Sequence, residues 1–545
     1  MISGAPIAWF AIRFIYHTIH FAFYFPFRYF RRMFVKPLVG EPRQQFYTRP
    51  EDLQWLTPLH AICLRYPHDR DLLLTYFRIS DEANETTMQI NARDEEGDTP
   101  LHYALIYGWK YDIVEERMEL LLRRGADPSL ANDYGWTPLH MISRRIQFGD
   151  RLVRKFFAVC GELQRTLRID ARDEWGNTPL HLARGADMAE FLLNKGADPN
   201  SVNRDGSTPL HVLLSGVRSD DVEEFLRICE SMRELRINAR DRRGDAPLHL
   251  ALKSRFCCTR LAIGLLLRCG ADPNLAGAKG FTALHILCQK PRCEWIELLE
   301  EFFRVSINVG QRLRLDTRDE FGWTPLQWAV ATFKPSVVDL LLDCGARLDG
   351  FVFPSATCLA DSYSTDDHHG GRWSRKLELA AGALVIVERL EEAGYTIDRA
   401  DALNVMKLFE AHGLYDDSHD RREFWQENYQ YCVEEAASIM IKPSLSLCDL
   451  FELRAEEAAR LLAYRDYLRI ARSHIHLVIG MGHNSHLCEM VSRGFFRSWA
   501  LDSFLELTRD RLPVLCCEMI IDEFKNEDLY RICLANEGQT VRDSV

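Results

Sequence analysis

Thr99-Pro100-Leu101-His102 decides the fold because it keeps returning. The same four letters stand at residues 57–60, 137–140, 178–181 and 208–211. Degraded forms follow as Ala246-Pro247-Leu248-His249, Thr282-Ala283-Leu284-His285 and Thr324-Pro325-Leu326-Gln327. A phrase recurring at a period of about 30 to 45 residues marks a stacked-repeat architecture. Each unit gives a physical reason for its residues. Asp94 and Gly97 supply a tight turn, because glycine accepts positive φ at no steric cost. Thr99 is placed to cap a helix, and Pro100 takes its first position, where the missing N–H costs nothing. Leu101, Ala104 and Leu105 then share one helical face. Ile113, Val114, Leu120, Leu121 and Leu122 supply a second apolar helix, which Gly125 ends before Ala126-Asp127-Pro128 turns the chain out. One such unit cannot bury its own apolar face, but stacking on neighbours can, so stability is close to a sum of nearest-neighbour terms.

The spacings hold a second period. From phrase to phrase they are 42, 38, 41, 30, 38, 36 and 42 residues. Junctions of the Gly125-Ala126-Asp127-Pro128 kind precede the phrases at 137, 208 and 282. Junctions of the Ile90-Asn91-Ala92-Arg93-Asp94 kind precede those at 99, 178, 246 and 324, and the intervals ending there are the longer ones. The duplicating unit is therefore read as a pair of repeats, with the extra residues in a longer second helix or loop of every second repeat. The 30-residue interval has lost residues within 182–191, which predicts a shortened helical hairpin there.

The phrase and its surroundings resemble ankyrin repeats, eight of them over residues 53–349. The resemblance implies an all-α fold: an ankyrin-repeat solenoid of helix-turn-helix repeats with β-hairpin fingers, followed by an α-helical C-terminal domain. In that family the fingers before each phrase, with the inner helices, form a concave surface for a target protein. The residues that would bind it here are Glu95, Glu96, Tyr134, Trp136, Glu174, Trp175, Arg204, Arg242, Arg243, Lys279, Phe281, Phe321 and Trp323. Aromatic anchors with mixed charge suit a protein interface, although Trp136, Trp175 and Trp323 equally suit packing against neighbouring fingers. The seven histidines of the phrase are implied to bond around the turn and tie adjacent repeats together, not to bind metal. Gln327 in place of the last one fits a terminal, capping repeat.

The 545 residues carry 67 Lys and Arg against 79 Asp and Glu, a net charge of −12, which argues against a general nucleic-acid binder. The 16 cysteines include no Cys-x-x-Cys; Cys269, Cys288 and Cys344 fall in helical or cap positions and read as reduced core residues. Residues 7–27 are apolar and aromatic but interrupted by Arg13, His17 and His20, and Arg28, Arg31, Arg32 and Lys36 follow. Two readings of residues 1–40 stand: a membrane anchor that leaves the repeats cytoplasmic, or an amphipathic leader lying on a membrane surface or on the array. Membrane contact would run through residues 7–36.

After residue 349 the repeat signal stops. Residues 350–374 read as a linker, and His368 and His369 beside Asp366 and Asp367 read as solvated rather than metal-binding. Residues 375–545 read as helical. One stretch is marked by Leu379, Leu384, Ile386, Val387 and Leu390 and stops at Gly394. A second, with Leu403, Val405, Met406, Leu408 and Phe409, ends near Gly413, and a polar helix carries Trp425 and Tyr429. A further helix is expected over 455–468. His474, His476, His483, His486 and Cys488 lack a paired-cysteine motif, so no metal and no cofactor is expected there.

Residues 512–529 read Leu-Pro-Val-Leu-Cys-Cys-Glu-Met-Ile-Ile-Asp-Glu-Phe-Lys-Asn-Glu-Asp-Leu. They resemble the first half of an F-box. An ankyrin array followed by helices and this truncated motif is similar to the PRANC arrangement of poxvirus host-range, endosymbiont and parasitoid-wasp proteins. The resemblance implies that Leu512, Pro513, Ile520, Ile521, Phe524, Asp528 and Leu529 dock the Skp-type adaptor of a cullin–RING ubiquitin ligase. Spacing places Ile520, Ile521 and Phe524 on one helical face, with Asn526 or Asp528 capping the next short helix. The competing reading buries the same strip inside the C-terminal domain. Two functions follow: a substrate receptor linking a target to the ligase, or a non-enzymatic scaffold, membrane-tethered in one version, with no ligase link. An enzyme built on residues 474–488 finds no support, since no Ser/His/Asp set, phosphate loop or zinc-protease helix is present.

Overall fold

Proline starts nearly every first helix of a repeat. α1 (Pro58–Leu64), α3 (Pro100–Ile106), α5 (Pro138–Ser143), α8 (Pro209–Ser215), α9 (Pro247–Lys253) and α13 (Pro325–Ala331) all begin on it, and α11 (Ala283–Gln289) begins on the alanine that replaces it. The computed structural model describes residues 57–64, 70–82, 89–106, 111–145, 148–215, 225, 227–228, 235–254, 259–289, 295–358, 374–415, 438–472, 483–509 and 511–543. The N-terminal segment 1–40, the histidines at 368 and 369, His474, His476 and the polar stretch with Trp425 and Tyr429 lie outside the described residues. Among the described residues no helix is long and apolar enough to cross a membrane.

Second helices follow as α2 (Arg70–Glu82), α4 (Tyr111–Arg123), α6 (Gly149–Glu162), α7 (Ala186–Asn194), α10 (Thr259–Arg268), α12 (Trp295–Asn308) and α14 (Pro335–Asp343). The pairwise duplication is visible in their lengths. Helices α2, α6 and α12 have 13, 14 and 14 residues, whereas α7, α10 and α14 have 9, 10 and 9. α4, with 13 residues, departs from the pattern. In the 30-residue interval the shortening falls mostly on the first helix. Residues 179–182 form turns held by His181 N–H to Thr178 O, Leu182 N–H to Pro179 O and Ala183 N–H to Leu180 O. These three-residue closures are tighter than an α-helix and spend fewer residues per turn. Gly185, at φ +96°, then starts α7.

The chain divides into two compact units, residues 1–271 and 272–545. In the first, consecutive repeats stack through α1 on α3, α3 on α5, α4 on α6, α6 on α7 and α8 on α9. The core is Leu59, Leu101, Leu105, Val114, Met118, Ile142, Phe156, Leu192, Leu210, Leu252 and Leu266, each nearly or wholly out of solvent. Deleting one such leucine costs about 2–5 kcal/mol.

The second unit begins with the repeats at 282 and 324 and continues through the C-terminal helices. Past residue 349 the chain does not leave the surface: Phe351 and Phe353 are buried, and Phe351 meets the Tyr395 ring edge-on at 5.1 Å. α15 (Ser374–Glu392) packs on α14 of the last repeat, so the C-terminal helices cover the repeat that carries Gln327. Arg389 pairs with Asp339 at 3.1 Å and with Asp343 across this contact. The central stretch of α15, residues 379–387, is buried on every side, because α14, α19 (Tyr464–Arg472) and α20 (His483–Thr508) all pack on this helix.

α16 (Arg399–Ala411) is capped by Asp398, whose side chain accepts from Asp401 N. A two-stranded ribbon, β1 (Met440–Lys442) with β2 (Leu445–Ser446), is the one sheet among the described residues and a small exception to the all-helical reading. α17 (Leu447–Glu452) starts at Ser446 with a reciprocal cap: Asp449 N–H donates to Ser446 Oγ at 3.1 Å and Ser446 N–H to Asp449 Oδ2 at 2.8 Å. The expected helix over 455–468 is two helices, α18 (Ala455–Leu461) and α19. Leu462 is extended, and Asp466 accepts from Ala463 N–H at 3.1 Å to start the second. α20 is the centre, packed on α15, α18, α21 (Val514–Asp522) and α22 (Asn526–Asp543).

Candidate functional site: the finger row and the C-terminal hairpin

Every described finger but the one at 277 is built around one Asp or Asn. Asp94 Oδ1 accepts Glu96 N–H at 3.1 Å and Asp98 N–H at 2.7 Å. Asn132, Asp173, Asn203, Asp241 and Asp319 make the same two bonds in their own fingers. The finger at 277 has glycine at this position and turns instead through a short 3₁₀ segment, Ala278–Gly280, with Lys279 at φ 59°. The backbone closes each tip, as in Asp94 N–H to Asp98 O and Gly97 N–H to Asp94 O. No ladder extends from these closures, so the fingers are hydrogen-bonded turns and not strands. Gly135 sits at φ +76°, and a Cβ on it would lie 2.8 Å from Asp173 Cα, so only glycine lets one finger approach the next. Neighbouring tips are then joined by single bonds: Asp133 N–H to Glu96 O, Glu174 N–H to Tyr134 O, Arg204 N–H to Trp175 O and Arg242 N–H to Asp205 O.

The phrase histidines complete the frame. His102 Nδ1 accepts Thr99 N–H at 3.1 Å and lies 2.8 Å from Thr99 Oγ1. His140, His181, His211 and His285 repeat this. With Nδ1 accepting, the proton sits on Nε2, which donates to a carbonyl of the next finger. The six acceptors are Asp98, Trp136, Asn177, Ser207, Asp245 and Trp323, at 2.9 to 3.2 Å. Burial depresses the pKa of these rings, to about 4 for His102 and His181, so they stay neutral. At Ala246 the hydroxyl is lost, yet Ala246 N–H still donates to His249 Nδ1 at 3.1 Å. Gln327 does both jobs with an amide: Oε1 accepts Thr324 N–H at 2.9 Å and Nε2 donates to Val352 O at 3.1 Å.

The sequence-named finger residues divide into two sets. Glu95, Arg204, Arg242, Arg243, Lys279 and Phe321 are exposed, Phe321 by 59%. Glu96, Tyr134, Trp136, Glu174, Trp175, Phe281 and Trp323 are half-buried. Tyr134, Trp136, Trp175 and Phe281 pack on neighbouring fingers, whereas Trp323 packs on the first helix of its own repeat. Tyr134 stacks on Trp175 with centroids 6.5 Å apart and rings 4° from parallel, and Trp136 lies 6.2 Å from Trp175. Trp136 Nε1 donates to Asp173 Oδ2 at 3.2 Å, and Arg144 sits over its ring at 5.0 Å. Trp323 packs on Trp328 at 4.8 Å and Phe281 on Phe321 at 6.3 Å. These aromatics hold the fingers in line and leave only part of each ring to solvent.

In the C-terminal hairpin, Pro513 precedes α21 as its N-cap residue, and Glu523 caps its end. Phe524 therefore lies beyond the helix rather than on its face. Ile521 and Leu529 are fully buried, so these two members of the F-box-like set belong to the domain's own core. Leu512, Pro513, Ile520 and Phe524 are exposed, and Val514, Leu515 and Met519 join them at 52%, 68% and 66%. The signal for these extra three was present in the sequence: seven of the nine residues of α21 are apolar, with Glu518 and Asp522 as the exceptions, more than one packed face can cover. α22 has 18 residues and is not the short helix expected. Asn526 does not cap it with its side chain: its amide donates to Glu489 O at 3.0 Å and Ser492 Oγ at 2.9 Å, while Asp528 Oδ2 accepts Lys525 N–H at 3.4 Å.

Arg493 on α20 holds the hairpin in place. It is 5% exposed, and its guanidinium donates to Ile521 O at 3.2 Å, Asp522 O at 3.0 Å and Phe524 O at 2.5 Å. Arg497 adds a pair with Asp522 at 2.6 Å. No spacing in the sequence marks either arginine. Cys488, from the His/Cys-rich stretch, is buried in α20, and burial pushes its thiol up to about 12. Cys63, Cys160, Cys288, Cys517 and Cys533 are likewise buried, whereas Cys269 is half-buried and Cys344 exposed.

Family models agree with this geometry. One described as ankyrin repeats (3 copies) matches residues 115–203 and 257–350, one as ankyrin repeats (many copies) matches 192–251, and one as ankyrin repeat matches 96–133. The chain is 28% identical over 246 residues to ANK repeat-containing protein nipk-1 of Caenorhabditis elegans, covering 41% of this chain and 36% of that one. It is 31% identical over 183 residues to human Rabankyrin-5, covering 33% and 14%. A putative ankyrin repeat protein of fowlpox virus, FPV031, is 28% identical over 186 residues, covering 34% and 50%. The chain thus spans half or less of the length of these relatives. Among solved structures, the ankyrin repeat domain of Bcl-3 matches at 26% identity and a TM-score of 0.34, covering 46% of this chain and all of that one. Residues 96–350 of this chain are accordingly ankyrin repeats, and its fold is an ankyrin-repeat fold with an all-α C-terminal region.

Proposed function

We propose that the chain is a protein–protein interaction adaptor that holds a target on its ankyrin fingers and docks a Skp-type adaptor of a cullin–RING ubiquitin ligase through its C-terminal hairpin. Target binding is the role ankyrin repeats generally serve. The observation that carries the ligase half is the exposed apolar strip of Leu512, Pro513, Ile520 and Phe524, widened by Leu515 and Met519 and fixed from beneath by Arg493. A rigid, solvent-facing strip on a helical hairpin suits a helix-mediated groove, and pre-organisation lowers the entropy lost on docking. A relative from fowlpox virus is in keeping with the poxvirus-like arrangement. The scaffold reading, with no ligase link, draws on the burial of Ile521 and Leu529. On either reading the chain does no chemistry itself. Its place in the cytoplasm, and membrane contact through residues 7–36, are part of the proposal.

The test is a pull-down with a purified Skp-type adaptor beside a melting curve. The parent chain is expected to capture the adaptor. Pro513→Ala with Phe524→Ala, both exposed positions, is expected to lose capture with little change in melting. A parent that never captures the adaptor overturns the ligase half and leaves the scaffold. Photo-crosslinking from position 321 or 204 tests the target surface separately.

A further inference from the structure

Lysine is scarce in this chain: 12 residues stand against 55 arginines. Arginine is the better residue where its planar fork holds a carboxylate, as Arg399 holds Glu506 through two bonds at 2.7 and 2.8 Å. That reason does not apply at Arg204, Arg242, Arg243, Arg312 and Arg314. All five are exposed, and among the described residues their guanidinium groups make no hydrogen bond, ion pair or ring contact. What still separates the two side chains there is reactivity. A lysine amine is a nucleophile once it gives up its proton, whereas the guanidinium stays charged and does not attack.

The lysines that remain are mostly tied. Nine of the 12 fall among the described residues. Lys155 pairs with Glu119 at 2.9 Å, Lys253 with Asp245 at 2.6 Å, Lys407 with Glu537 at 3.7 Å and Lys442 with Asp466 at 3.4 Å. Lys334 donates to Cys288 O at 2.8 Å and Lys376 to Gly413 O at 2.6 Å. Lys195 sits 5.5 Å from the centre of the Phe191 ring. Lys279 and Lys525 are exposed, and their ammonium groups make no such contact among the described residues. Lys279 is at the tip of the finger at 277. Lys525 directly follows Phe524 of the apolar strip, in the loop that Arg493 holds.

We infer that the scarcity of open lysine keeps ubiquitin off this chain while it serves the ligase, and that Lys279 is the residual ubiquitin acceptor once a docked adaptor covers Lys525. The inference rests on the ligase reading above and adds how the chain survives beside the enzyme it recruits. The step at Lys279 uses the ubiquitin thioester of the ligase's loaded conjugating enzyme. The uncharged amine attacks the thioester carbonyl, the C–N bond forms and the C–S bond breaks. The cysteine thiolate leaves and takes up the proton that the amine gives up. An ammonium held by a carboxylate must first lose its partner as well as its proton, so the tied lysines react more slowly.

The full chain tests it in two arms. In the first, the chain alone and the chain bound to a purified Skp-type adaptor are treated briefly with N-hydroxysuccinimidyl acetate, and acetylation of each lysine is read by mass spectrometry. Lys279 and Lys525 are expected to react about fivefold faster than Lys155, Lys253 and Lys407, and the adaptor should protect Lys525 but not Lys279. In the second arm, the chain is incubated with the adaptor, the cullin–RING ligase, the loaded conjugating enzyme and ubiquitin. Lys279 is expected to carry most of the conjugate, and Lys279→Arg should lower the total about fivefold. Arg312→Lys with Arg314→Lys should about double it. The bonds at these two positions belong to the backbone, so folding is kept, and melting of each variant checks it. Lys279 reacting no faster than the tied lysines overturns the inference. So does a conjugate led by any other lysine, or no gain from the two added lysines. If the adaptor is captured and these results fail, the ligase reading stands and only the protection is wrong. A parent that never captures the adaptor overturns the ligase reading and this inference with it, and acetylation of the chain alone still shows whether Lys279 and Lys525 are its open amines.

Discussion

In the repeats a buried histidine ties a helix start to the next finger, and the same bonds recur from His60 to His285. In the C-terminal helices Arg493 ties down a hairpin 28 to 31 residues further along the chain, and it does so once. Both devices satisfy buried polar groups, which otherwise cost about 1–3 kcal/mol each. They differ in reach and redundancy. A repeat's tie binds its neighbour, and losing one leaves the others intact. The arginine holds three carbonyls of one loop, and among the described residues no second side chain bonds to them. The array should therefore tolerate the loss of a polar tie better than the C-terminal region does.

The sharpest break of that contrast is Arg493→Met. It removes the donor to the carbonyls of Ile521, Asp522 and Phe524, and the expected cost is about 3–5 kcal/mol, the range for breaking a buried charged network. Hydrogen exchange should show α21 and the start of α22 opening while the finger amides stay protected; uniform protection would sink the clamp. Next in size is Leu210→Ala in the array. Leu210 is 1% exposed, and truncation is expected to cost about 2–5 kcal/mol by denaturant titration.

The polar tie itself is weaker. His102→Ala strands the Thr99 N–H and the Trp136 carbonyl and should cost about 1–3 kcal/mol. His102→Gln should cost under about 1 kcal/mol, because Gln327 already makes both bonds with an amide. The two also separate by pH. The folded-state pKa of His102 and His181 is near 4, below the unfolded value of 6.5, so the unfolded chain binds more protons between those values. Their stabilisation is complete above pH 6.5 and is lost as pH falls toward 4. Melting against pH should fall through that window in the parent and fall less in His102→Gln. A parent whose melting is flat from pH 7 to 4 would contradict the neutral, buried tautomer. The smallest effect belongs to the tips: Glu95→Ala, at an exposed position, should change stability by less than about 0.5 kcal/mol.

Why the two regions differ in legibility follows from the same contrast. The repeat frame is local: Asp94, Gly97, Thr99 and His102 bond within a few residues or to the matching residue one repeat on, so sequence spacing carries the geometry. Even the 30-residue interval announced a shortened hairpin, and the structure spends its missing residues on the first helix at 179–182. Residues 455–468 misled, because an apolar period cannot show that Leu462 is extended and that Asp466 starts a new helix. Phe524 misled for a related reason, since α21 stops before it.

The sequence by itself determined the ankyrin frame, the finger positions, the glycine stops at 394 and 413 and the apolar character of residues 512–529. Each depends on residues near one another in the chain, or on repetition. The tertiary structure alone decided which side of α21 is covered. It buries Ile521, leaves Leu515 and Met519 in water, and brings Arg493 under the loop. Those outcomes depend on what α20 presents from about thirty residues away, a distance across which no periodicity connects the two segments.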